Sequence, residues 1–91
     1  MAQGRKTSLR VNLSPEVNKQ LRAMRAQSAR YRPIVARRVA VILLMADQMS
    51  ISDIYRTTGM TRRHIYRTVR SFNRYGLPSI FEDRRGQHLR K

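Results

Sequence analysis

Four arginines, Arg63, Arg67, Arg70 and Arg74, follow one another at steps of four, three and four residues. At about 100 degrees per residue that spacing puts them on one side of a single helix, across from an apolar spine of Ile65, Val69 and Phe72. A guanidinium is a planar, permanently charged fork of donors that grips a phosphate, or the O6 and N7 edge of guanine, through two hydrogen bonds. The chemistry of such a face is recognition of an anion, with no group in it that could make or break a bond. A solvated helix face ordinarily mixes both signs, because like charges three and four residues apart repel. Here no acid occurs from Ile54 to Phe81. The repulsion left over is what bound phosphate would remove.

The elements that must hold this face follow from the local sequence. Ser50-Ile51-Ser52-Asp53 opens a short helix with capping groups, and Ile54 begins its apolar side. Gly59 supplies the positive backbone angle of a tight corner, and Thr61 can cap a second helix through its hydroxyl. Two short helices about a glycine corner form a helix-turn-helix pattern, in which the N-terminal part of the second helix enters the major groove. Arg62, Arg63, His64 and Arg67 are therefore the candidate base readers. Thr61, Tyr66, Arg70 and Arg74 are candidates for the DNA backbone, together with Arg37 and Arg38, the charged part of an otherwise apolar helix upstream.

That upstream helix is predicted from Pro33 to about Gln48, nearly unbroken in apolar residues from Val39 to Ala46, and so belongs in the core. Before it, Ser14-Pro15-Glu16 reads as a helix start: a serine cap, a proline where no amide donor is needed, and an acid beside the positive dipole end. Val17, Leu21 and Met24 continue that helix, which fades by Ser28 ahead of a loop near residues 29–32. Leu9, Val11 and Leu13 alternate with Ser8, Arg10 and Asn12, the period of a half-buried strand. Arg5, Lys6, Ser8, Arg10 and Asn12 are the candidate contacts of this strand or arm.

The whole chain agrees with this reading. Its 91 residues fit one domain, divided here into a basic arm with a short strand (1–13), a DNA-binding domain (14–81) and a basic tail (82–91). Lysine and arginine number 20 against 5 acids, a formal charge of +15, and 17 of the 20 are arginine. A polyanion partner follows from that imbalance, and double-stranded DNA from the motif. The apolar run Val39–Ala46 is far below the roughly 20 residues that span a membrane. No apolar signal core follows the basic start, which with the absence of cysteine fits a cytoplasmic, nucleoid-associated protein. His64 and His88 without any cysteine lack the spacing of a zinc site, and neither a metal, a cofactor nor a small-molecule ligand is expected.

Leu13-Ser-Pro-Glu, Arg37-Arg38-Val-Ala-Val-Ile-Leu-Leu-Met-Ala-Asp47, Ile51-Ser-Asp-Ile54, Gly59-Met-Thr-Arg-Arg63 and Phe72-Asn-Arg-Tyr-Gly-Leu77 resemble the N-terminal DNA-binding region of mariner-like bacterial insertion-sequence transposases. The resemblance covers about Leu13 to Arg85 and implies an all-α, four-helix, homeodomain-like unit, with Thr61, Arg62, Arg63 and Arg67 at the family's recognition-helix positions. The sequence departs from the pattern at Tyr55, usually Ala, at Thr58, usually Leu, and at Thr68, a common Trp position. A bulky Tyr55 predicts a wider approach of the two helices. Such transposases continue into a catalytic domain with acidic metal ligands, whereas this chain carries only Glu16, Asp47, Asp53, Glu82 and Asp83, so no enzyme activity is expected.

Two other readings use the same residues. Residues 8–12 with the Ser14 helix could form a ribbon-helix-helix dimer in which Ser8, Arg10 and Asn12 read bases. The charge alone would also suit an RNA-binding or protein-docking accessory module. The reading adopted is a sequence-specific duplex DNA-binding protein, a small transcriptional regulator or a mobile-element or plasmid accessory factor. A homodimer is expected to form through Leu9, Val11 and Leu13.

Overall fold

Three of the helices begin where a hydroxyl side chain is available to hold the first turn. Ser14 Oγ accepts from the Val17 N–H at 3.2 Å, Ser50 Oγ from the Asp53 N–H at 3.1 Å and Thr61 Oγ1 from the His64 N–H at 3.3 Å. In the computed structural model, which describes residues 9–81, these starts open α1 (Pro15–Ala26), α3 (Ile51–Thr58) and α4 (Arg62–Tyr75). The central helix α2 (Pro33–Ala46) begins on its own proline behind an extended cap residue, Arg32, whose side chain makes no capping hydrogen bond. A 3-10 turn (Ser28–Arg30) joins α1 to α2, and a single-turn α5 (Pro78–Phe81) follows α4. The fold is all-helical, as expected. Four helices of two turns or more carry it.

The core is built around α2, whose Val35, Val39, Val41, Ile42, Leu43, Leu44 and Met45 are all buried. Its stretch Val39–Ala46 is apolar on every side and has to be covered on every side, and α1, α3, α4 and α5 all pack against α2. α1 contributes Leu21 and Met24, α3 contributes Ile54, the turn contributes Met60, and α4 contributes Ile65, Val69 and Phe72. This packing, more than helix propensity, sets the attitude of α4.

The end of α2 departs from the usual residue choice. The N–H of Gln48 bonds back to the Met45 carbonyl at 2.9 Å and that of Met49 to Leu44 at 3.1 Å, the bond pair of a Schellman motif. Its left-handed position, normally glycine, is filled by Gln48 at φ 65.

The alternation of Leu9, Val11 and Leu13 predicts a strand, and here the structure corrects the sequence. Among the described residues there is no strand. A strand requires a partner to complete its ladder, and this segment instead lies against the helices. Val11 is buried, Leu9 and Leu13 pack half-buried on the same core, and the Arg10 carbonyl accepts from Asn73 Nδ2 of α4 at 2.9 Å. Of the predicted arm contacts, Arg10 and Asn12 are exposed beside this seam, while Arg5, Lys6 and Ser8 fall outside the described residues, as does the tail 82–91.

Candidate nucleic-acid interface

The corner between α3 and α4 is fixed by backbone and hydroxyl bonds within a few residues. Gly59 takes φ 79 and ψ 1, and its N–H bonds to the Tyr55 carbonyl at 2.8 Å. Thr58 Oγ1 donates to the Ile54 carbonyl at 2.7 Å and accepts the Met60 N–H at 3.2 Å. One hydroxyl thus closes α3 and ties down the first residue beyond the glycine. A leucine at this position could do neither, so the Thr58 departure exchanges an apolar contact for a hydrogen-bonded turn. Tyr55 is about half exposed, whereas Ile54 beside it is fully buried in the core that α3 shares with α4.

Once α4 is held, its spine of Ile65, Val69 and Phe72 is buried and the opposite side is open. Arg63, Arg67, Arg70 and Arg74 are all exposed and line one shallow groove of about 380 Å³ together with Tyr66, Ser71 and Tyr75. No carboxylate among the described residues pairs with any of the four arginines. At the far end, the Arg74 guanidinium lies 5.6 Å from the centre of the Tyr75 ring, a cation–π contact that restrains the arginine without neutralising it. Ser71 and Tyr75 were not singled out from the sequence. Continuing the helical wheel past Arg70 on its flank would have found both.

The remaining candidates separate from this groove. Arg62 is one residue, hence about 100 degrees, away from Arg63 around the helix. Its Nη2 donates to Ser52 Oγ at the start of α3, 3.1 Å away, so it clasps the two helices together. It lines a second cleft of about 700 Å³, bounded by residues 9–12, the end of α2 and Tyr66, which stands between the two depressions. His64 is exposed on the first turn of α4, with Nδ1 3.0 Å from the hydroxyl of Thr61, so the cap that starts the helix also orients the imidazole. Arg37 is exposed on α2, whereas Arg38 donates from Nη1 to the Ile80 carbonyl at 2.8 Å and holds α5 against α2.

The described residues contain no group of three or more histidines, cysteines or acids that could hold a metal ion, and no helix long and apolar enough to cross a membrane. What the site offers is a row of unneutralised guanidinium groups on a helix set by a glycine corner.

A family model described as a winged helix-turn helix matches residues 38–91, more than half of the chain. The chain belongs to the winged helix-turn helix family. The match begins inside α2 and takes in α3, the Gly59 corner, α4 and α5, the elements that form and support the arginine groove. A helix-turn-helix of this family is a DNA-binding unit, which accounts for the cationic surface. No strand occurs among the described residues of this winged helix-turn helix protein. No curated protein and no solved structure matches the chain.

Proposed function

We propose that this protein binds specific double-stranded DNA sequences through α4, with Arg63, His64 and Arg67 reading bases and Thr61, Tyr66, Arg70 and Arg74 holding the backbone. The observation that carries the reading is the alignment of four exposed, unneutralised arginines in one groove on the second helix of a helix-turn-helix. Arg63 and Arg67 fall in the half of that helix that enters a major groove, where a bidentate pair to guanine contributes about 1–3 kcal/mol of discrimination. Arg62 takes a smaller part in base reading, because its hydrogen bond to Ser52 would have to be exchanged for one to DNA.

The role that follows is that of a small regulator or a mobile-element accessory factor, related to the DNA-binding regions of insertion-sequence transposases and acting without catalysis. Two copies on half-sites about 34 Å apart would give the reading its symmetry. Such a dimer would not use a paired strand at Leu9, Val11 and Leu13, since these side chains are already packed on their own core. The same packing counts against the ribbon-helix-helix arrangement.

The experiment is selection of bound duplexes from a random pool, followed by competition at moderate salt between the selected duplex, random duplex and RNA of equal length. A selected duplex that outcompetes both by at least about a hundredfold supports the proposal. Equal competition by RNA or by random duplex would overturn sequence-specific DNA reading.

A further inference from the structure

The absence of acids that marks α4 occurs a second time. From Val17 to Ala46 there is no aspartate or glutamate, and the stretch carries Lys19, Arg22, Arg25, Arg30, Arg32, Arg37 and Arg38. Two of these have partners within the protein: Arg22 lies 4.0 Å from Asp47, and Arg38 bonds the Ile80 carbonyl. Lys19, Arg25, Arg30 and Arg32 are exposed and pair with no carboxylate among the described residues. Lys19, Arg22 and Arg25 succeed one another at steps of three on α1, where like charges repel, and the 3-10 turn continues the series. Solubility alone would be served by lysines with interspersed acids, whereas this face is mostly arginine, and Glu16 at the start of α1 and Asp47 beside Arg22 leave its cations in large excess.

The position of this face is as informative as its charge. α1 buries Leu21 and Met24 against α2 and makes no comparable contact with α3 or α4, which pack on α2 from elsewhere on its surface. α2 therefore stands between the two cationic faces, and at about 8–10 Å per helix pair the axes of α1 and α4 are separated by up to roughly 20 Å. A duplex lying in the α4 groove leaves the outer face of α1 open. Lys19, Arg25, Arg30 and Arg32 also precede residues 38–91, so they are not part of the match that assigns the family.

We propose that α1 and the Ser28–Arg30 turn form a second, backbone-only surface that takes up the phosphates of a separate duplex segment, so that one chain tethers two pieces of DNA. The inference rests on the reading of α4 as the specific DNA-binding face and adds a second ligand to it. The second surface presents its cations on the side of a helix and on a turn, a phosphate-contacting arrangement whose binding is independent of sequence and falls with salt.

The test uses the selected duplex fixed to beads, the full chain, and a labelled duplex of unrelated sequence in solution. The wild type should retain the labelled duplex on the beads. The triple variant Arg25→Ala, Arg30→Ala, Arg32→Ala should bind the fixed duplex within about twofold of wild type while retaining about tenfold less of the labelled one. An unchanged melting temperature for the variant shows that the fold is intact. Retention equal to wild type would overturn the proposal, since two associated copies, each holding one duplex in its own α4 groove, would then explain the tethering. A parallel loss of affinity for the fixed duplex with a shallower salt dependence would also overturn it, since α1 would then flank the same duplex as α4. Wild type that binds the fixed duplex without retaining the second refutes the tether alone. Failure to bind the first duplex refutes the α4 reading itself.

Discussion

α2 and α4 are both 14 residues long, lie against each other, and divide the work of the molecule between them. α2 is buried on nearly every side and touches every other helix, so its side chains hold the bundle together. α4 gives up one strip to the core and keeps the remainder for arginines that nothing in the described protein neutralises. The pair teaches that in this protein stability and binding sit on different helices that share one contact. A substitution on α2 should lower stability and leave the binding surface of the folded molecules unaltered, whereas one on the outer side of α4 should do the reverse.

The largest effect expected from breaking this division is on α2. Ile42 is fully buried, and Ile42→Ala should lower unfolding free energy by about 3 kcal/mol in a urea titration, with the affinity of the folded fraction for DNA unchanged. On α4 the converse substitution, Arg67→Ala, should weaken binding to the selected duplex by about 1–3 kcal/mol by fluorescence anisotropy, with stability moving by less than about 0.5 kcal/mol. If Arg67→Ala unfolded the domain, the two roles would not be separable along these helices. Arg70→Ala sharpens the distinction within α4: it should weaken all duplexes alike and lower the slope of log affinity against log salt by about 1.

The corner that links stability to binding should show an intermediate effect. Thr58→Val deletes the bonds to the Ile54 carbonyl and the Met60 N–H, and should cost about 1 kcal/mol of stability by thermal unfolding. Because the same corner aims α4, a loss of affinity for the selected duplex should accompany it. The smallest effect is a gain. Gln48 occupies a left-handed position that glycine fills more readily, so Gln48→Gly should raise stability by about 0.5–1 kcal/mol in the same measurement.

Much of the architecture is legible in the order of the residues. The caps at Ser14, Ser50 and Thr61, the glycine corner, the apolar course of α2 and the arginine side of α4 are consequences of residue type and of spacing within a few turns. The strand expected at residues 9–13 shows the limit of that reading: alternation states which side chains share a face but not whether a partner strand is there to pair with.

The sequence by itself determined that there is a helix-turn-helix and that its second helix carries an arginine face, because both depend on local periodicity and short-range hydrogen bonds. The tertiary structure decided which arginines belong to that face. Arg62 is ten residues from Ser52 and Arg38 is 42 from Ile80, and each is engaged by an acceptor that only folding brings within reach. Packing likewise decided the fate of Leu9, Val11 and Leu13, whose alternation suits a sheet but whose apolar side chains found a helical core to bury against. Spacing in a sequence states which residues can share a surface, and the distances set by packing determine which of them remain available on it.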